Sequence, residues 1–170
     1  MQFGLFCSPK ADSAATDAQM GQGFRDCLDF NIEAEALGFH SSFSVEHHFT
    51  GWNQVSATLM LLMALAMRTK TLRLGTAVLV LPWHNPVLLA EQVATLDLLS
   101  GGRFDFGIGK GYRHSEFKGF AMPQEEAEAR FEEGLTVITR ALTSRERFSH
   151  HGRFWHFEDI VVEQIGRAYV

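Results

Sequence analysis

The segment from Leu72 to Tyr112 constrains the fold of this chain more than any other. Leu72 to Leu81 is a run of apolar and small residues ending at Pro82, which reads as a buried strand. Asn85-Pro86 then opens a helix, with Asn as N-cap and Pro at the first helical position, where its missing N–H costs nothing. Leu89, Val93 and Leu96 fall on one helical face. Gly101-Gly102 stops the helix, because glycine adopts positive φ without penalty. A second strand, Arg103 to Ile108, runs into Gly109-Lys110-Gly111-Tyr112. Strand, helix and strand in this order give parallel strands and a right-handed crossover.

The remaining chain repeats this alternation. Gln2 to Phe6 reads as a strand, and Ser8 to Thr16 as a polar loop. Asp17 caps a helix running to about Leu37, with Phe24, Leu28 and Ile32 inward. Ser41 to Val45 is a second strand, followed by Glu46-His47-His48-Phe49 and a loop through Gly51-Trp52-Asn53. The helix from about Gln54 to Arg68 is apolar nearly all round, so it is expected to be well buried. After the Leu72–Tyr112 unit come a loop, His114 to Pro123, and an acidic helix from about Gln124 to Leu142 with Phe131, Leu135, Ile138 and Leu142 inward. Phe148 to Val162 reads as a hairpin turning at His151-Gly152. The order β-α-β-α-β-α-β-α argues an α/β fold with a parallel sheet. A doubly wound sheet and part of a (β/α)8 barrel are both compatible with it; a full barrel typically needs about 250 residues.

Composition narrows the function classes. With a net charge of −5 and no basic stripe, nucleic acid is not an expected partner. The longest unbroken apolar run, Leu59 to Met67, is too short to span a bilayer, so no membrane association is expected. The N-terminus opens directly on strand-like MQFGLF without a signal-peptide pattern, and Cys7 and Cys27 fit a reduced, cytoplasmic protein better than a disulfide scaffold.

Three motifs carry candidate chemistry. Glu46-His47-His48 directly follows a strand, and loops at strand C-terminal ends hold the chemistry of parallel α/β folds. A carboxylate and two imidazoles suit acid–base work near neutral pH, and equally suit loop hydrogen bonding or a metal. Helical H-E-x-x-H spacing is absent and neighbouring strand residues point to opposite faces, so no metal site is assigned. Gly107-Ile108-Gly109-Lys110-Gly111 would let a flat ligand approach the backbone, with Lys110 meeting an anion, or would simply make a tight turn. Gly75-Thr76-Ala77 allows either close backbone packing or a flat ring against the strand. His150, His151 and His156, and the charge run from Glu125 to Glu133, are expected to be solvated.

Taken together, MQFGLF, EAEALGFHSSFSVEHHF, the stretch from Arg73 to Tyr112 and the acidic helix carrying Arg130 resemble, in order and spacing, the N-terminal half of bacterial luciferase-like, flavin-dependent monooxygenases. The resemblance covers Met1 to about Phe157. It implies a (β/α)8 barrel, usually dimeric, that uses reduced FMN and O2 to oxygenate an aldehyde, alkane, sulfonate or similar small substrate. Some relatives use the deazaflavin F420 instead, and a flavin reductase would supply the reduced FMN. By resemblance, His47 matches the catalytic histidine; in the mechanism this suggests, Glu46 is expected to orient it. Ala77-Val78 falls where the family often has a non-proline cis peptide under the flavin ring. Gly109 stands where luciferase has a reactive cysteine. Lys110 stands where the family has an arginine near the phosphate, keeping the charge but losing the bidentate fork. Glu91 and Glu116 match acidic positions near the site, and Arg130 matches a second phosphate contact.

The expected architecture is therefore a partial (β/α)8 TIM barrel, a single domain over residues 1–170 with about four β/α units plus a C-terminal hairpin. A half barrel leaves two open sheet edges and an uncovered inner face. It is expected to be a fragment, to pair with a complementary half barrel or a second copy, or to rearrange its tail. Two other functions remain open: a non-catalytic subunit acting by association, and a metal-dependent hydrolase using Glu46, His47 and His48.

Overall fold

A computed structural model describes residues 1–10, 16, 19, 21–51 and 55–163. Among these are β1 (Gly4–Phe6), α1 (Gln22–Ala36), β2 (Ser41–Ser44), α2 (Thr58–Arg68), β3 (Arg73–Thr76), β4 (Leu79–Val80), α3 (Pro86–Ser100), β5 (Phe104–Asp105), β6 (Ile108–Gly109), α4 (His114–Gly119), α5 (Ala127–Thr143), β7 (Phe148–His151) and β8 (His156–Ile160). The expected cap at Asp17 and the loop positions Trp52 and Asn53 lie outside the described residues.

The main sheet has the order β1-β2-β3-β5, and every pairing in it is parallel. Each new strand adds on the same side of the last. A doubly wound sheet must reverse direction at a switch point, and this one does not. With right-handed crossovers, one-way addition places every helix on one face, as in a barrel wall. Among the described residues, no strand pairs with the outer edge of β1 or β5.

Helix α3 forms as its sequence dictates. Asn85 Oδ1 accepts from the N–H groups of Val87 and Leu88 at 3.0 and 3.2 Å, Pro86 sits in the first turn, and Gly101 closes the helix at φ 71°. Leu89, Val93 and Leu96 are buried. They pack in one core with Leu72 and Leu74 beside β3, Leu62 and Leu65 of α2, and Ile138 and Leu142 of α5. Phe131 and Leu135 pack against that core, as their spacing predicts.

Several expectations need correction. The strand expected over Leu72–Leu81 is two short strands, β3 and β4, separated at a cis Ala77–Val78 peptide, and its end is a 3-10 turn over Leu81–Trp83. The strand expected over Arg103–Ile108 divides in step, as β5 and β6, so β4 and β6 pair apart from the main sheet. Thr76 Oγ1 donates to Gly107 O at 2.7 Å and accepts Gly107 N–H at 2.9 Å, tying the two interruptions together. A Cβ on Gly75 would lie 2.2 Å from Phe43 Cε1, and one on Gly107 would lie 2.1 Å from Thr76 O, so both glycines serve close packing. Helix α1 buries Cys27, Asn31 and Ala34, while Phe24, Leu28 and Ile32 are only half-buried. Helix α2 buries one side only, leaving Met60 and Met67 exposed. The loop expected over His114–Pro123 holds α4.

The hairpin of β7 and β8 turns over residues 152–155. Its turn rests on Glu133, whose carboxylate accepts the N–H groups of Arg153, Phe154 and Trp155 at 2.8–3.2 Å and pairs with His150 at 3.2 Å. Glu133 and His150 are therefore half-buried partners rather than solvated groups. A linear charge pattern cannot reveal a carboxylate that caps a distant turn.

Glu35 plays the same part between α1 and β3. One of its oxygens accepts the N–H groups of Lys70, Thr71 and Leu72 at 2.6–2.8 Å. Burial alone would raise this carboxyl, but those N–H groups and the Thr71 hydroxyl outweigh it and hold the group at about 2. The stabilisation is complete above its ordinary value of 4.5 and is lost as pH falls from there through 2. Glu35→Ala is expected to cost about 1–3 kcal/mol at pH 7. Urea melts at pH 7 and pH 3 check this, with the gap between variant and wild type narrowing at the lower pH.

Candidate active site

The loop after β2 is pinned before it offers any chemistry. Buried Thr58, at the start of α2, has its hydroxyl within 2.7 Å of Val45 O and 2.8 Å of Val55 O. His47 and Val55 form an isolated antiparallel bridge. The Glu46-His47-His48 backbone is thus fixed at the C-terminal end of the sheet, and its side chains diverge.

His47 Nδ1 lies 3.0 Å from Glu116 Oε1, and the same oxygen accepts the backbone N–H of His48 at 2.9 Å. Glu116 comes from α4 and is only 2% exposed. With the carboxylate as acceptor, Nδ1 carries the ring proton and Nε2 keeps the lone pair. Helix α4 is held by Phe117, which is buried and packs edge-on against Trp83 at 5.4 Å.

Glu46 does not touch His47, which corrects the expectation that it orients that ring. It is 3% exposed and faces the other way. His48 Nε2 and His84 Nε2 donate to its Oε1 at 3.1 and 2.7 Å, and Val80 N–H donates to its Oε2 at 2.5 Å. Burial raises the Glu46 carboxyl. The two imidazole hydrogen bonds, the charge His84 carries when protonated and the Val80 N–H together overcome that and hold it below its ordinary range. The His48 ring is packed edge-on by Trp83 at 5.3 Å and Phe120 at 4.7 Å. Through these contacts Glu46 joins His48, His84 and the Val80 backbone in one hydrogen-bonded cluster.

Two cavities meet at Glu46. One, of about 510 Å³, is lined by Phe6, Val45, Glu46, His47, Ala77, Val78, Val80, Gly109, Lys110, Gly111, Tyr112 and Glu116. Its volume lies within the range of about 300–1,000 Å³ usual for small-molecule sites. It gathers His47, Glu46, Ala77, Val78, Gly109 and Lys110, all named from sequence. A Cβ on Gly109 would come within 2.7 Å of Val78 Cγ2, so the glycine lets the Val78 side chain pack directly against this strand end. The residues present therefore suit a flat ring laid against Ala77, Val78 and Gly109. Lys110 Nζ pairs with exposed Glu128 at 3.3 Å.

Glu91 and Arg130 stand elsewhere. Glu91 is exposed on α3 and lines the second cavity, of about 590 Å³, together with Glu46, His84, Met60 and Met63. Arg130, on α5, pairs with Glu126 at 2.8 Å and lies 4.3 Å from the centre of the Phe154 ring; it does not line the 510 Å³ cavity. His84 is the participant that sequence reasoning missed. Its one signal was position: a histidine beside a helix N-cap, just past the end of a strand.

Comparison with known proteins places this geometry. The family model for luciferase-like monooxygenases matches residues 1–165. The 4-hydroxyprotoasukamycin monooxygenase of Streptomyces nodosus subsp. asukaensis is 36% identical over 86% of this chain and 38% of its own length. The oxygenase component of the flavin-dependent trigonelline monooxygenase of Acinetobacter baylyi is 28% identical over 92% of this chain and 43% of its own length. The crystal structure of monooxygenase RslO1 from Streptomyces bottropensis superposes with a TM-score of 0.87 at 33% identity, covering 98% of this chain and 51% of that one. The chain thus spans about half, or less, of the length of these relatives. Parallel strands added in one direction, the glycine-lined strand ends and the histidine loop all agree with the matched model: the chain belongs to the luciferase-like monooxygenase family.

Proposed function

We propose that this chain supplies the His47-bearing part of a flavin-dependent monooxygenase that takes reduced FMN and O2 and oxygenates a small organic molecule such as an aldehyde. The observation that carries the reading is the His47–Glu116 pair opening on a cavity walled by Ala77, Val78 and Gly109. Reduced FMN, when bound, supplies the electrons and activates the oxygen. The chain's own residues do the rest. Glu116 holds the Nδ1 proton of His47, so Nε2 is free to take a proton from a substrate or return one. Glu46 keeps His48 and His84 in place beside it. Lys110 and Arg130 are the proposed phosphate contacts, each now paired with a glutamate that a phosphate would replace. The component naming of the Acinetobacter relative supports a separate flavin reductase as partner.

The test is to supply reduced FMN from a reductase, with O2 and a panel of aldehydes and ketones, and to look for products gaining one oxygen atom. A parallel arm uses reduced F420. Product in the FMN arm alone supports the reading. Product in neither arm, even with a complementary half barrel added, removes the catalytic assignment.

A second reading, function through association, is favoured by the exposed side chains of Phe3 and Phe6 and by edges of β1 and β5 with which no strand pairs among the described residues. Sedimentation velocity checks it. A monodisperse monomer at high concentration would count against it.

A further inference from the structure

The two cysteines have no part in the scheme above. Cys7 follows β1 directly, and its N–H donates to Phe43 O at 3.0 Å, which locks it onto the β1–β2 register. Cys27 lies on α1, buried with Val55 and Leu61 and flanked by Phe24, Leu28 and Val45. Their Sγ atoms are 3.3 Å apart, while Cys7 is half-buried and Cys27 fully buried. Asn31 Nδ2 stands 3.7 Å from Cys27 Sγ and donates to Cys27 O at 2.7 Å. A disulfide needs a sulfur separation of about 2.05 Å, so the two atoms must close by only a little over 1 Å.

We propose that Cys7 and Cys27 are a peroxide-responsive dithiol that closes to a disulfide joining the end of β1 to α1. The pair is asymmetric in the way the chemistry requires. The hydrogen bond from Cys27 lowers the Cys7 thiol, burial opposes it, Asn31 assists, and the outcome is about 7. Cys27 is pushed up by the same hydrogen bond, by burial and by the charge of Cys7. Cys7 is therefore the attacking thiolate and Cys27 the protonated resolving thiol.

In the first step the Cys7 thiolate attacks one oxygen of hydrogen peroxide. The S–O bond forms, the O–O bond breaks and hydroxide leaves, giving a sulfenic acid. In the second, Cys27 Sγ attacks Cys7 Sγ. The S–S bond forms, the S–O bond breaks, and the departing hydroxide takes the Cys27 proton as water. The two sulfurs lose two electrons to the peroxide, which ends as one hydroxide and one water, and the hydroxide takes up the proton that Cys7 released on ionising. Phe6, next to Cys7, lines the 510 Å³ cavity, so the cross-link fixes one wall of that cavity to α1.

The test treats the fully reduced chain with stoichiometric hydrogen peroxide, counts thiols after denaturation and measures intact mass. Both thiols should disappear together with a mass loss of about 2 Da, and a dithiol reductant should restore them. The rate should rise about tenfold per pH unit below 7 and level off above it. Cys27→Ser should stop at a gain of about 16 Da that a sulfenic-acid trap captures. Cys7→Ser should slow oxidation of Cys27 at least about tenfold, and circular dichroism confirms that both variants fold. Two results would overturn the proposal. One is both thiols surviving peroxide that oxidises a free cysteine peptide; the other is Cys27 in Cys7→Ser reacting as fast as in wild type.

Discussion

His47→Ala is expected to lower the rate of product formation by about 10²–10⁴-fold. The affinity for reduced flavin should stay within about threefold of wild type, because a group acting in the reaction is lost rather than one used for binding. The reason is local. His47 lies on the cavity wall, and its Nδ1 is committed to Glu116, so Nε2 is its one free proton-transfer atom. Glu116→Gln keeps an oxygen for the ring and for the His48 N–H but removes the carboxylate charge. It should fall between wild type and His47→Ala, since the ring keeps an acceptor but loses a charge-assisted hydrogen bond. Measuring kcat and flavin Kd separately for both variants decides the matter. Unchanged turnover in His47→Ala would remove that residue from the mechanism.

The second large effect falls on stability. Glu46→Ala should destabilise the fold by about 3–5 kcal/mol, because it removes one side of a buried, charge-assisted network. His48, His84 and the Val80 N–H would all lose their shared acceptor, a carboxylate that is only 3% exposed. The melting midpoint should drop by about 10 °C or more. Glu46→Gln keeps one acceptor oxygen and should cost about 1–3 kcal/mol. The pH dependence has a definite sign. The folded-state pKa of Glu46 lies below its ordinary 4.5, so its contribution is complete above pH 4.5 and fades as the pH falls below that. The gap between wild type and Glu46→Ala should therefore narrow in acid. Thermal melts at pH 7 and pH 4 measure it.

Local signals in the sequence were the ones that held. Asn85-Pro86 and Gly101 mark the ends of α3 because their effects reach only one helical turn. The β/α alternation marks the barrel type, and the one-way strand order then decides against a doubly wound sheet. What stayed hidden depends on contacts across the chain. Glu46 and His84 are 38 positions apart, and Glu116 is 69 from His47, so no window of sequence shows either pair. Adjacency in sequence suggested that Glu46 orients His47. Their side chains leave the loop in different directions, and Glu116 holds His47 instead. The interruption after Thr76 was equally out of reach, because apolar content continues through it. Resemblance to a family brought His47, Ala77, Val78, Gly109 and Lys110 to one cavity. It brought neither Glu91 nor Arg130 there.

The central claim is that the cavity walled by Ala77, Val78 and Gly109 receives a flavin ring. The most direct measurement is an anaerobic titration of the folded chain with reduced FMN, set beside Gly109→Phe. A phenylalanine there would displace the Val78 side chain, which even a Cβ would approach to 2.7 Å, and so remake the wall the two residues share. The account predicts saturable, one-to-one binding by wild type and at least about tenfold weaker binding by Gly109→Phe, with circular dichroism confirming that the variant is folded. Binding that ignores the substitution, or no saturable binding at all, would contradict it.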